Sequence, residues 1–372
     1  VWDKTLGGTD SDAPFAIAET PDGGCIVAGE SSSPKSGDKS EENYGKRDAW
    51  AIKLNNLGVK EWDKVYGGSE GDVFYSVVNT NDGGFLFGGA SVSGISGNKT
   101  EASRGGADCW LVKTDANGNI EWDKTYGGDK TDNVYSIKQL ESGEYIIGAY
   151  SESEISGDKT MKSKGFGDLW LLKLNNSGSI IWQRGIGGSS SDFLAKIDKT
   201  KDGGIVIGMS TNSTISGDKT IPNFGGGNDY WIVKVDSEGS ILWQDSYGDV
   251  SNDDLFDAMS TSDGGYLMGG FSNKWRKGDF WVIKLKPEIS TGIFGQSTLV
   301  KMRLYPNPVK NLLNFEFGFN QSLLNNSIEI YDIMGKMILN KKINIIEGRT
   351  SFEINLPNGT YIVKAMVNNQ LY

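Results

Sequence analysis

Not one of the 372 residues is histidine. That absence removes Ser-His-Asp and Cys-His nucleophile systems, most zinc sites and the commonest general base. Cysteine is scarce as well. Cys25 and Cys109 occupy slots of an internal repeat that other copies fill with Phe85, Tyr145, Ile205 and Tyr266, or with Ala49, Leu169, Tyr230 and Phe280. Both therefore read as buried apolar residues on different strands, and no disulfide is expected between them. No apolar run reaches 18 residues, so no helix is expected to span a membrane. The chain opens at Val1 without a charged-then-apolar leader, so an exported form is expected to have shed its signal peptide already. Cations are outnumbered, 37 Lys and Arg against 48 Asp and Glu, which argues against nucleic acid as a partner. Neither a phosphate loop nor a dinucleotide fingerprint follows a strand into a helix, and sustained 3.6-residue periodicity is missing from the repeats. What these gaps leave for catalysis is a pair of carboxylates, as in glycoside hydrolases.

What is present is repetition. Trp2, Trp62, Trp122, Trp182 and Trp243 recur every 60 or 61 residues, and Trp50, Trp110, Trp170, Trp231 and Trp281 each follow an Asp by two positions. Between them stands a DGG turn at Asp22, Asp82, Asp202 and Asp263, softened to Ser142-Gly143 in the third copy. A fixed period of this length marks a solenoid, propeller or array. In the second copy, Phe74–Val78, Phe85–Gly89, Cys109–Lys113 and Ile120–Lys124 are short β-branched and aromatic runs between Gly/Asn/Asp turns. They read as a four-stranded antiparallel meander, apolar on both faces because the units stack.

The fifth unit lacks a fourth strand after Trp281-Val282-Ile283-Lys284, and the chain begins with the segment that matches it, Val1-Trp2-Asp3-Lys4-Thr5. The expected fold is all-β: a five-bladed β-propeller over residues 1–286, with the N-terminal strand closing the last blade and removing the exposed edge.

Five residues beyond each turn glycine stands a carboxylate: Asp12, Asp72, Asp132, Asp192 and Asp253. In a propeller these lie at the mouth of the central channel, on the face that also carries the long Ser-Gly-Asp/Asn-Lys loops, so a ligand site is expected there. The plainer reading makes each Asp a cap for its own Gly-Gly turn. The fifth copy breaks the symmetry by crowding Asp245, Asp249, Asp253, Asp254 and Asp257, and its shortened loop carries Trp275 beside Arg276, a pair suited to stacking on a sugar. Asp249, Asp253, Asp254, Trp275 and Arg276 are thus the ligand-binding candidates. The aspartate spacing fits no calcium loop, so neither metal nor cofactor is expected. Asp48 with Lys53 and their equivalents read as structural ion pairs between blades.

Composition changes near residue 298. All eleven Trp lie at or before Trp281, only four of 51 Gly come later than residue 298, and the net charge of −11 divides into −14 before Leu299 and +3 after it. Residues 287–298 read as a polar linker and 299–372 as a small Ig-like β-sandwich. Three blocks of this second domain, Leu304-Tyr305-Pro306-Asn307-Pro308, Ile328 to Lys336 (with Tyr331 and Gly335) and Leu356 to Lys364 (with Gly359 and Tyr361), resemble the type A C-terminal sorting domain of the Bacteroidetes type 9 (Por) secretion system. The resemblance implies a cargo that passes through the periplasm and outer membrane to be secreted or displayed at the cell surface. Its implied partners are the translocon, an outer-membrane shuttle barrel and a sortase, and it implies one further short basic strand beyond Tyr372. On this reading the propeller is a binding or adhesion module for a polysaccharide or surface protein; the alternative is a carboxylate-dependent glycoside hydrolase.

Overall fold

Short apolar runs between glycine turns satisfy their backbone groups only by pairing with one another, and the computed structural model shows how they pair. It describes residues 1–273, 278–287, 302–305, 312–317, 323–332, 336–346, 349–354, 356–357, 361–367 and 370–371. The chain divides into two compact units, Val1–Ile289 and Ser290–Tyr372.

The first unit is a series of antiparallel meanders. Strands β1 (Asp12–Glu19), β2 (Cys25–Ser31), β3 (Asp48–Leu54) and β4 (Lys60–Tyr66) form the first sheet in chain order. The second contains β5 (Asp72–Asn79), β6 (Phe85–Ser91), β7 (Asp108–Thr114) and β8 (Ile120–Tyr126). The third holds β9 (Asp132–Gln139), β10 (Tyr145–Ser151), β11 (Asp168–Leu174) and β12 (Ile180–Ile186), and the fourth β13 (Asp192–Lys199), β14 (Ile205–Thr211), β15 (Asp229–Val235) and β16 (Ile241–Tyr247). The fifth has three strands, β17 (Asp253–Ser260), β18 (Tyr266–Ser272) and β19 (Asp279–Leu285).

Alternation along each strand sends neighbouring residues to opposite faces, and both faces are apolar. Ile26, Ala28, Ala49 and Ala51 of the first sheet pack on Phe74, Phe87 and Trp110 of the second. Leu86, Cys109 and Leu111 of the second pack on Ile137, Ile147 and Trp170 of the third. The same slots recur between the third and fourth sheets and between the fourth and fifth. At roughly 1.5–3 kcal/mol for each large side chain buried, these four joints are the main source of cohesion. A bulge at one position of the first strand recurs throughout, leaving Phe15, Tyr75, Tyr135 and Phe256 unpaired. The Phe15, Tyr75 and Tyr135 rings touch in series, their centroids 5.2 Å apart at each step.

Ring closure by Val1–Thr5 is where the structure differs from expectation. Among the described residues the segment forms no strand with β19. It is held at the other end of the array, because Trp2 lies against Gly58 and its Nε1 donates to the Asn56 carbonyl at 3.0 Å. Trp62 makes the equivalent bond to Ala116 at 3.1 Å, across the first internal joint. Val1–Leu6 therefore sits where the fourth strand of a preceding sheet would lie.

The second unit is also all-β. Strands β20 (Met302–Tyr305), β21 (Leu312–Phe317) and β24 (Arg349–Glu353) form one sheet; β22 (Leu323–Asp332), β23 (Met337–Ile345), β25 (Tyr361–Val367) and β26 (Gln370–Leu371) form the other. Leu313, Phe315, Ile328, Ile330, Ile345 and Phe352 fill a core shared by the two sheets. Most of the expected linker, from residue 288 onward, lies outside the described residues. Among the described residues, no helix of either unit is long and apolar enough to cross a membrane.

Candidate functional site

The repeated aspartates cap turns. Asp12, Asp72, Asp132 and Asp192 accept the amides of Gly8, Gly68, Gly128 and Gly188 at 2.7–2.8 Å. Each also accepts a serine hydroxyl from the long loop of its own sheet, Ser33, Ser93, Ser153 or Ser213. The loop clamps the same turn from above: Asp38 donates its amide to the Gly7 carbonyl, and Asn98, Asp158 and Asp218 do likewise to Gly67, Gly127 and Gly187. Close approach demands glycine here, because a Cβ on Gly97, whose φ is +58°, would meet the Gly67 carbonyl at 2.3 Å.

The lysines of these loops are buried rather than surface contacts. Lys39, Lys99, Lys159 and Lys219 are at most 2% exposed. Lys159 donates to Ser151 Oγ, the Ser153 carbonyl and Ser163 Oγ, while Lys99 and Lys219 lie 5.1 and 5.3 Å from the ring centroids of Trp110 and Trp231. Burial pulls Lys99 and Lys219 down to about 8.

With their frames locked, the loops hold apolar side chains out in solvent. Ile95, Ile155 and Ile215 repeat at one loop position, Phe166 and Phe224 share the connections of the last two, and Tyr44 stands in that of the first sheet; Phe166 is 78% exposed. The sequence signal for this row is the recurrence of Ile three residues before Asn98, Asp158 and Asp218, which the sequence reading above does not use.

The candidates of the fifth copy are partly brought together. Asp253 is buried and accepts the Asp249 amide at 2.9 Å, which repeats the turn cap. Asp249 accepts the Ser251 amide, and Asp254 is held by Asn228 Nδ2 and Asn252 Nδ2, both at 2.6 Å. Trp275 and Arg276 lie outside the described residues. Among those described, no group of three or more His, Cys, Asp or Glu is placed to hold a metal ion.

A second carboxylate series meets the first. Asp48 and Asp72 converge on Gly67, where an added Cβ would lie 2.6 and 2.7 Å from their oxygens. The expected Asp48–Lys53 ion pair is absent, because Lys53 bonds within its own sheet to Asp22 and Glu61, both at 2.8 Å. Burial pushes Asp48, Asp108, Asp168 and Asp229 up to about 6 from an ordinary 3.8. Such groups cost nothing below pH 4, where both folded and unfolded chains are protonated. As pH rises from 4 through 6 the unfolded chain ionises first, so stability falls and then levels off. No histidine titrates in this window. The melting temperature should therefore drop between pH 4 and 6, and Asp108→Asn should flatten part of the drop, on the order of 1–3 kcal/mol per site. A melting temperature that climbs over this interval would show that these carboxyls ionise freely.

In the second unit, Tyr331 donates to Glu329 at 2.6 Å, with the Lys364 ammonium 4.9 Å from its ring centroid. Lys336 donates its amide to Asp332 Oδ1, and Tyr361 donates its hydroxyl to the Pro357 carbonyl. Tyr305 ends β20. Pro306, Asn307, Pro308, Gly335 and Gly359 lie outside the described residues.

Residues 303–372 match a protein family described as a secretion system C-terminal sorting domain. No curated protein matches the chain. Among solved structures the chain is similar to Kuenenia stuttgartiensis hydrazine synthase, at 13% identity over 77% of this chain and 90% of that one, with a TM-score of 0.40. It is also similar to MPT-4, a mannose phosphorylase from Leishmania mexicana, at 12% identity over 77% and 88% with a TM-score of 0.33. A third likeness is to Sqt1 from Chaetomium thermophilum, at 12% identity over 74% and 72% with a TM-score of 0.35.

Proposed function

We propose, for a chain that belongs to the type 9 secretion cargo proteins through its sorting domain at residues 303–372, that the five sheets are propeller blades forming the exported passenger, a binding and adhesion module. The sorting domain takes the chain across the outer membrane to the cell surface or the extracellular space. Its partners there are an outer-membrane shuttle barrel that receives it and a sortase that removes it, in a member of the Bacteroidetes. The passenger meets a polysaccharide or a surface protein through its long-loop face.

One observation carries the binding role. Ile95, Ile155, Ile215, Phe166 and Phe224 are exposed on loops whose backbones are already fixed by hydrogen bonds. Contacts presented this way lose little conformational entropy on binding. The hydrolase alternative requires two carboxyls flanking an open cleft. The convergent pair Asp48 and Asp72 is wholly buried, out of reach of a sugar. Glycan arrays and immobilised surface-protein fractions, each probed with the parent and with the Phe166→Ala/Phe224→Ala variant, test the assignment. Binding should weaken at least about tenfold in the variant. Equal binding by both proteins would remove the long-loop face from the contact, and release of reducing sugar from a polysaccharide panel would replace adhesion with hydrolysis.

A further inference from the structure

The turn between β7 and β8 receives the first sheet on two of its carbonyls. Trp62 Nε1 donates to the Ala116 carbonyl at 3.1 Å, and the Tyr66 hydroxyl donates to the Gly118 carbonyl at 2.7 Å. A Cβ on Gly118 would meet Lys64 Cγ at 3.0 Å, with Trp62 Cζ3 and the Tyr66 hydroxyl each at 3.1 Å, so the first sheet rests directly on this turn. Between the two accepting carbonyls stands Asn117, exposed to solvent. The same slot holds Leu57, Ser177 and Glu238 in other copies, so among these turns only this one places a side-chain amide before the turn glycine. A following glycine, lacking a Cβ, offers the least hindered backbone nitrogen. The Gly118 N–H is held by a bond of 3.2 Å to the Asp115 carbonyl, at the long end of the ordinary range.

Four other turns place an acidic residue before glycine, at Asp22, Asp82, Asp202 and Asp263. There the carboxylate is engaged. Each accepts a lysine ammonium, from Lys53, Lys113, Lys234 or Lys284, and each also accepts the amide two residues on. A carboxylate held ionised in this way offers an attacking nitrogen no neutral leaving group, whereas the Asn117 amide releases ammonia. The chain's other Asn-Gly step, Asn358-Gly359, lies outside the described residues.

We propose that Asn117 is a site of spontaneous deamidation and backbone isomerisation, and that its conversion slackens the joint between the first and second sheets. The Gly118 nitrogen attacks Asn117 Cγ. The Cγ–Nδ2 bond breaks, and ammonia leaves with the proton that the nitrogen gives up. Water then opens the cyclic imide. Cleavage at Cγ yields aspartate at position 117. Cleavage at the main-chain carbonyl carbon of Asn117 yields isoaspartate, in which the backbone runs through the former side chain and gains one carbon. That extra carbon lengthens the path between the Ala116 and Gly118 carbonyls, so Trp62 and Tyr66 no longer reach both. Aspartate leaves the path unchanged and adds only a charge.

The full chain, aged in mildly alkaline buffer and sampled by peptide mapping, tests this. The peptide holding Asn117 should show the amide-to-acid mass change, with isoaspartate at that position, well ahead of the peptides holding Asn56 and Asn176, which stand one position earlier in the equivalent turns. Once conversion is complete the melting temperature should be lower by roughly 5 °C, as loss of the two joint bonds requires. Asn117→Ser, which installs the residue of the third copy, should melt as the fresh parent does and lose nothing on ageing. Asn117→Asp carries the charge on an unaltered backbone and should melt within about 2 °C of the fresh parent. Conversion of Asn117 no faster than that of Asn56 or Asn176 overturns the proposal, and so does an Asn117→Ser protein that ages as the parent does. A melting curve unmoved by full conversion, or an Asn117→Asp protein melting as low as the aged parent, overturns it equally.

Discussion

Truncated after Pro287, the protein should accumulate in the periplasm, folded, with none reaching the cell surface. The cut falls between Leu285, the last residue of β19, and the matched domain that starts at residue 303. The four joint cores and the second unit's core are built from separate residues, so removing the second unit takes no buried side chain from the first. Export and folding are thus separable. Protease shaving of intact cells, followed by fractionation, distinguishes the two compartments. Truncated protein that is still shaved from the surface would mean that the passenger carries its own route out.

Trp170→Ala should be the most damaging single truncation in the array. The side chain is fully buried at the joint between the second and third sheets, and its Nε1 donates to Gln183 Oε1 at 2.9 Å. Removing it leaves a cavity and an unpaired amide, a cost of about 3–5 kcal/mol. At a few degrees per kcal/mol for a unit of this size, the melting temperature should fall by roughly 10 °C. The repeat supplies its own control. Trp281 occupies the same slot in the fifth sheet, its ring tilted against Tyr230 at 4.7 Å between centroids but partly exposed. Trp281→Ala should cost about half as much or less. Equal losses at the two positions would mean that burial between sheets is not what holds the array together.

Much of this architecture is written in the 60-residue spacing itself. Asp22-Gly23-Gly24 and Asn55 to Gly58 are turns in the structure as their residue types require, and the runs between them are strands. The sorting domain was legible for a different reason: its three blocks are local, each a short continuous stretch that includes residues of one strand, β20, β22 or β25. What escaped was set by distance in space. Nothing near Asp48 in the chain announces that it converges on Asp72, 24 positions later, whereas Lys53 finds Asp22 in the β1–β2 turn and Glu61 on β4, both of its own sheet. Lys99 looks like a surface residue because a lone ammonium seldom tolerates burial; Thr125 and the Trp110 ring make it tolerable here. Val1–Thr5 has the composition of a closing strand, and which sheet it would join is decided by Trp2 reaching the Asn56 turn.

The offset between repeat and sheet bears on how such a chain changes length. Each unit of about 60 residues contributes its Trp-bearing fourth strand to the joint ahead and its Asp-capped turn to the joint behind. The partners at successive joints are near-copies: Tyr66 donates to Gly118 as Tyr126 does to Gly178. An in-frame loss or gain of one unit by recombination between such similar stretches would rejoin surfaces that already match, leaving no unpaired strand and no foreign contact inside the array. Copy number is therefore open to inheritance in whole steps, and the stability of each remaining joint does not depend on how many others there are.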